Sequence, residues 1–358
     1  MTDYSVVPTD AAEIHPEWLS QALAARFRGV AVASIEVSQQ RQVTNAHAKL
    51  RVLYDDSGGA PETMFCKLPP SDPQRRDAIL RTGMGEREVK FYEQLAPSLA
   101  MRVPEALVAK VQTDGTFILL LEDLDASGCV ISDGRIGVSP DSAFVALEDL
   151  AMLHLRYRDP KVRDSQVPWI PSTSSTSNYG LVMLQYGLDN HRDRLSDEFA
   201  EIAELCIAHP EELQELWHRG PQTVIHGDPH IGNLFFDGGR TGFLDWGIIN
   251  VNTPMRDVSY FLTMSMSVED RRAYERELLS HYVSIWNAGG GESLSQDDAW
   301  MAHRVHAAYT VLASCQVVTF PADATPQRKV FAEAFLGRAR AAVADLEARA
   351  AIKSVGGF

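Results

Sequence analysis

The chain has 358 residues, 45% of them hydrophobic and 23% charged, with a formal net charge of -15. That is enough apolar material for a large core or two lobes, and no long stretch is polar enough to stay disordered. The acidic balance speaks against a nucleic-acid partner, whose phosphates need a basic face, and no run of eighteen apolar residues is there to cross a membrane.

Cys66, Cys129, Cys206 and Cys315 are widely separated, with neither a CxxC pair nor zinc-ligand spacing. They read as small buried hydrophobes of a soluble cytoplasmic protein. The acid is uneven: residues 1–121 hold 13 Lys+Arg and 15 Asp+Glu, leaving 20 and 33 for residues 122–358, so the two parts carry -2 and -13. Such a field favours a cationic substrate in the second part, or simply keeps an acidic surface soluble.

"EIHPEWLSQALAARF" puts Pro16 in a first helical turn and Trp18, Leu19, Leu23 and Phe27 on one side, an amphipathic helix. "VASIEVSQQ", "AKLRVLYDD" and "TMFCKLPP" follow as strands separated by turn residues, a small antiparallel sheet. "GEREVKFYEQLAP" aligns Val89, Tyr92 and Leu95 on a helical face and is expected to end before Pro97. "TFILLLEDL" is a buried strand that stops at two carboxylates.

Ser139 and Pro140 then open a helix that runs through His154, a residue that reads as a satisfied polar group in a core or as facing a catalytic loop. Residues 165–179, "SQVPWIPSTSSTSNY", are expected to form a loop or lid, where Trp169, Tyr179 and Tyr186 either line an apolar pocket or pin the loop. Everything after Asp257 reads as helix, the last long one starting at Thr325 and Pro326. The organisation is a strand-rich front part, a connector, and a mostly helical back part.

The polar run lies between "TVI" and "NLFF". Gly and Pro make "HGDPHIG" a turn, and a second apolar run, "TGFL", breaks at "DWG" beyond the hairpin turn "DGGR". This lets Asp228, Asn233 and Asp245 converge. Oxygen ligands from one amide and one carboxylate suit magnesium better than zinc, and a second carboxylate can orient an attacking hydroxyl and take its proton.

"HGDPHIGN" followed by "DWG" twelve residues after Asn233 resembles the catalytic loop and metal motif of the aminoglycoside phosphotransferase and choline kinase superfamily, relatives of protein kinases. "FCKLPP" and "LLLEDL" resemble its ecdysteroid-kinase-like branch most. The resemblance implies an α+β, bilobal protein-kinase-like fold: an antiparallel-sheet nucleotide lobe over residues 1–121, a hinge at 122–126, and a helical lobe over 127–358. It makes Asp228 the catalytic base, with His226, His230 and Asp257 supporting the loop, and Asn233 and Asp245 the ligands of Mg2+. Lys67 is expected on the ATP phosphates, paired with Glu88 (Glu86 being the other candidate), and the backbone of Glu122, Asp123 and Leu124 at adenine. Asp257 reads either as a helix cap or as a fixer of the loop. One departure stands out: the phosphate loop "RQVTNAHAKL" has no glycine, which leaves the phosphate contacts of Thr44, Asn45 and His47 open.

The function implied is transfer of the γ-phosphate of ATP to a hydroxyl of a small molecule. Aminoglycosides, choline-like amines, sterols and macrolides are all accepted somewhere in that superfamily, and this sequence does not choose. The alternatives are a kinase-shaped nucleotide-binding protein without catalysis and a metal-dependent phosphoesterase.

Overall fold

Period-two alternation decides which side of the first sheet is core. The computed structural model describes residues 6–42, 44–172, 178–320 and 324–357. These fall into two units, the first made of residues up to 131 with 235–238 and 242–248, the second of 132–234, 239–241 and 249 onward.

In unit 1, α1 (Pro16–Leu23) buries Trp18, Leu19 and Leu23. Strands β1 (Ala31–Gln42), β2 (Ala46–Asp56) and β3 (Thr63–Leu68) are followed by α2 (Pro73–Thr82), α3 (Met84–Lys90), β4 (Ala106–Val111), β5 (Phe117–Glu122) and the short β6 (Val130–Ile131). The first five strands form one antiparallel sheet in the order β1-β2-β3-β5-β4. Ala48, Leu50, Val52, Met64, Cys66, Leu68, Ile118 and Leu120 pack with α1 into one core. Alternation sends Lys67, Phe117 and Leu119 to the opposite face. There α3 comes close: a Cβ on Gly85 would sit 2.2 Å from the Phe117 ring, so glycine is what lets the helix approach. The helix expected to end before Pro97 instead passes from α3 into a π-helical turn at Phe91–Leu95 and a 3-10 turn at Ala96–Ser98 that contains Pro97. A proline in the first turn of a 3-10 segment forfeits no hydrogen bond, so it does not stop the chain there.

Unit 2 is mostly helical. Its elements are α4 (Pro140–Arg156), α5 (Pro160–Gln166), α6 (Tyr179–Asn190), α7 (Asp197–Ala208), α8 (Pro210–Trp217) and β7 (Thr223–Ile225). After the hairpin of β8 (Leu234–Asp237) and β9 (Arg240–Phe243) come β10 (Asn250–Asn252), α9 (Pro254–Ser265), α10 (Val268–Ala288), α11 (Gln296–Ala307), α12 (Tyr309–Ala313), α13 (Pro326–Asp345) and α14 (Ala348–Gly356). Ser139 caps α4 by accepting from Ser142 N–H, and Thr325 caps α13 through Arg328 N–H. All twelve residues of α9 are buried, so each polar group on it must find a partner inside. The antiparallel pair β7–β10 joins Ile225 to Asn250 and thereby fixes the strand from which the polar turn departs.

The expected loop at 165–179 is only partly a loop. Ser165 and Gln166 belong to α5, Ser172 bridges to Val251, Tyr179 starts α6, and residues 173–177 lie outside the described residues. Asp159 starts α5, its side chain accepting from Lys161 N–H, and the Val167 N–H closes the last turn on the Arg163 carbonyl. Among the described residues no helix is long and apolar enough to cross a membrane.

Candidate active site

Lys67, Glu88 and Asp245 come from three separate stretches of chain and meet in unit 1. The Lys67 ammonium donates to Glu88 Oε2 at 2.6 Å and to Asp245 Oδ1 at 2.9 Å. Glu86, the rival carboxylate, turns outward to Lys90 on the next helical turn. Burial works against the charge of Lys67, but Asp245 and Glu88 outweigh it and hold the ammonium above the ordinary lysine range. For Glu88 burial dominates over the pull of Lys67, and with the charge of Asp245 added its pKa is pushed up to about 7.

Asp245 sits at φ +59°, a left-handed conformation uncommon for a residue with a Cβ. The next two residues anchor it there. Trp246 stacks on Phe91 with ring centroids 3.9 Å apart and planes within 7°, and Arg87 Nε donates to the Gly247 carbonyl at 2.9 Å. The strained aspartate is thus held to the helix that carries Glu88.

His47 is the cross-strand partner of Lys67, set edge-on to Phe65. Burial, helped by the charge of Lys67, pushes its imidazole down to about 4, so it is neutral at physiological pH. Asn45 is buried, and among the described residues its Oδ1 has no partner, while Thr44 is exposed. At the expected hinge, Arg102 holds the Glu122 carboxylate with two bonds of 2.8 and 2.9 Å and reaches Asp237 at 2.7 Å. Asp123 pairs with Lys49 at 2.7 Å, and Leu124 packs with Cys129 and Phe235.

The polar turn is in unit 2, and it gathers Asp228, Asn233, His226, His230 and Asp257. Asn233 Nδ2 donates to the Asp228 carbonyl at 3.0 Å and to its Oδ2 at 2.9 Å. His230 Nδ1 accepts from Gly232 N–H, which leaves Nε2 as the donor facing Asp228 Oδ2 at 3.4 Å. His226 Nδ1 accepts from Asp228 N–H at 3.1 Å. Asp257 is not the helix cap, a position held by Thr253; its two oxygens accept from the backbone N–H of His226 and Gly227 at 2.7 and 2.8 Å. It fixes the loop.

Tyr260 was not legible in the sequence. Burial first, and then the neighbouring Asp228 to which it is hydrogen-bonded, raise its phenol well above the usual range, so it stays a donor. Only its place one turn after Asp257 on an apolar-periodic helix hints at it. Tyr179 and Tyr186 stand with Val182 as an exposed apolar stripe on α6, and Trp169 is half-buried.

Asn233 in unit 2 and Asp245 in unit 1 each carry an oxygen of the hard kind that magnesium takes. Asn233 spends its amide N–H on Asp228, and among the described residues nothing donates to its Oδ1; the Asp245 side chain is 45% exposed although Lys67 grips one of its oxygens. Both offer hard oxygen ligands. Among the described residues there is no group of three or more His, Cys, Asp or Glu arranged to hold a metal.

Comparison with known proteins places the chain in a family. The family model described as "Phosphotransferase enzyme family" matches residues 43–294. That match is to the family as a whole and carries no ecdysteroid-kinase-like branch below it. No curated protein matches. Among solved structures the chain is similar to a choline kinase from Cryptosporidium parvum Iowa II, at 10% identity and a TM-score of 0.51, covering 90% of this chain and 94% of that one. It is also similar to a macrolide 2'-phosphotransferase from Brachybacterium faecium (16% identity, 88% and 97% covered, TM-score 0.45) and a choline kinase from Streptococcus pneumoniae (13%, 92% and 98%, 0.47). At these identities the likeness concerns the fold.

Proposed function

Since this chain belongs to the phosphotransferase enzyme family, we propose that it transfers the γ-phosphate of ATP to a hydroxyl of a small molecule, with Asp228 as the base. The observation that carries this reading is the double hold of Asn233 on Asp228. The amide fixes the carboxylate at both its backbone and its side chain, and Tyr260 and His230 add donors, so the base is oriented before any acceptor arrives. It remains 28% exposed and so can be reached.

In this reading Lys67, kept charged by Glu88 and Asp245, contacts the α- and β-phosphates, and the neutral His47 donates or accepts beside it without adding charge. The segment Glu122 to Leu124 takes adenine, with Arg102 bracing it through Glu122. Asn233 and Asp245 would hold Mg2+, which neutralises the charge developing between the β- and γ-phosphates. Asp228 accepts the acceptor's hydroxyl proton as its oxygen attacks phosphorus; the new O–P bond forms as the bond to ADP breaks. The acceptor is a hydroxylated small molecule.

The test is ADP release from Mg–ATP across a panel of alcohols and amino-alcohols, with Asp228→Ala as the blank. Turnover that depends on the acceptor and vanishes in the variant while ATP still binds supports the assignment. Turnover retained in Asp228→Ala removes Asp228 as base, and nucleotide binding without turnover on any acceptor favours a non-catalytic role.

A further inference from the structure

Behind the polar turn of unit 2 runs a chain of hydrogen bonds that ends on the loop backbone. The Tyr282 hydroxyl is 2.8 Å from His154 Nδ1, and His154 Nε2 is 3.3 Å from Asp257 Oδ2. Asp257 in turn accepts from the N–H groups of His226 and Gly227. All three side chains are fully buried. Thr223 Oγ1 also donates to the His154 carbonyl at 2.6 Å, tying α4 to β7 just ahead of the turn.

With His154 as the neutral imidazole, its partners set the order of donors in this chain. An ionised aspartate only accepts, so its three partners must all donate; two are backbone N–H groups and the third is His154 Nε2–H. A neutral imidazole protonated at Nε2 has a lone pair at Nδ1, and the Tyr282 hydroxyl is there to donate to it. The opposite tautomer would set a lone pair against a carboxylate among fully buried side chains, leaving two buried acceptors facing each other.

We infer that Tyr282 and His154 are positioning residues for phosphoryl transfer: Tyr282 fixes the Nε2–H tautomer of His154, which orients Asp257 and through it the backbone on which Asp228 is carried. This rests on Asp228 being the base, and gives the residues behind it a role that a merely packed histidine and tyrosine would not have. Gly227, at φ +89°, is the point where the clamp acts, one residue before Asp228 in a conformation that only glycine adopts easily.

The probe is the protein with Mg–ATP, using three readouts on Tyr282→Phe and on His154→Ala with His154→Gln as the conservative rescue. Nitrogen-15 NMR of the His154 ring is expected to show a proton on Nε2 in the unaltered protein; a proton on Nδ1 alone overturns the inference. Hydrogen exchange at the Gly227 amide is expected to accelerate about 10-fold in Tyr282→Phe, the change in local opening that loss of one hydrogen bond gives. ADP release is expected to lose a similar factor in kcat with KM for ATP within about two-fold, and His154→Gln to recover part of what His154→Ala loses. Unchanged Gly227 exchange and kcat in Tyr282→Phe would overturn the relay. If instead Asp228→Ala keeps its turnover, the base assignment falls while the exchange result at Gly227 still reports on the clamp.

Discussion

The Lys67 ammonium lies 2.6 Å from Glu88, and both side chains are at most 6% exposed. A buried pair of this kind neutralises itself, but the second carboxylate, Asp245, makes the cluster one charge too negative. Nature's usual answer to such an excess is a proton or a cation. In the nucleotide-free protein Glu88 is the group that takes the proton: burial first, and then the charge of Asp245, push its pKa up to about 7 against the pull of Lys67.

The folded chain therefore holds the Glu88 proton better than the unfolded chain, whose value is 4.5. The stability this group contributes is fully present below about pH 4.5 and is lost as pH rises through 7. Thermal unfolding of the nucleotide-free protein and of Glu88→Gln, compared at steps from pH 4.5 to 8, should show the difference in midpoint shifting in favour of the variant as pH rises. A difference that stays flat over this range would show that Glu88 does not take up the excess.

Removing the cation is costlier. Lys67→Met leaves two carboxylates without their partner, and breaking a buried pair costs roughly 3–5 kcal/mol. At pH 8 that loss should be near its full size, and at pH 5 smaller, because a protonated Glu88 no longer needs the ammonium. Denaturant unfolding at the two pH values measures it; equal losses would contradict the assignment.

Asp245 combines strain with exposure. Asparagine tolerates its left-handed backbone, whereas a β-branched residue there costs about 1–3 kcal/mol. Asp245→Asn should keep the unfolding midpoint close to that of the parent and yet weaken Mg–ATP binding by calorimetry at least about 10-fold, the loss of one charged ligand; Asp245→Val should lose both. Full Mg–ATP affinity in Asp245→Asn would show that this carboxylate does not ligate the metal.

How much of this was legible beforehand follows from distance along the chain. Asp228 and Asn233 are only five residues apart within one turn, so spacing could bring them together, and Asn233 does donate to Asp228. Glu88 could be preferred to Glu86 because its helical phase matches Tyr92 and Leu95, both of which are buried. Arg102, Tyr260 and Tyr282 were invisible for the opposite reason. Arg102 finds Asp237 across 135 residues and Tyr282 finds His154 across 128, and neither carries a local pattern that distinguishes it from an ordinary surface arginine or core tyrosine. The π-helical turn after α3 was equally hidden, since its apolar spacing is that of an α-helix.

Gly85 tests the approach of α3 to the sheet. A methyl group there would meet the fully buried Phe117 ring at 2.2 Å, and overpacking of this kind costs about 1–3 kcal/mol. Because Glu88 lies on the same helix, Gly85→Ala should lower the unfolding midpoint and also weaken nucleotide binding. Unchanged affinity in a destabilised variant would mean that the helix shifts without carrying Glu88 away from Lys67.

The acceptor's charge is the remaining question, and two features of the chain pull against each other. Residues 122–358 carry -13, a field that attracts cations. Against it stands Arg256, 7% exposed, with its guanidinium carbon 3.0 Å from the Tyr309 ring centroid and no hydrogen-bond partner for Nε or Nη1 among the described residues. The Tyr309 phenol feels both Arg256 and Asp228, so this cation lies within electrostatic reach of the base. A quaternary ammonium binds by seating itself on an aromatic face, and here that face already holds a fixed positive charge. The diffuse field of the acidic surface is screened within about 8 Å at physiological ionic strength, whereas a charge beside the acceptor is not. With the acceptor seated at Asp228, this local cation is expected to outweigh the diffuse field, and neutral alcohols should support faster ADP release than choline at equal concentration. Arg256→Gln should narrow that gap. Choline as the better acceptor for the unaltered protein would show that Arg256 does not face the acceptor.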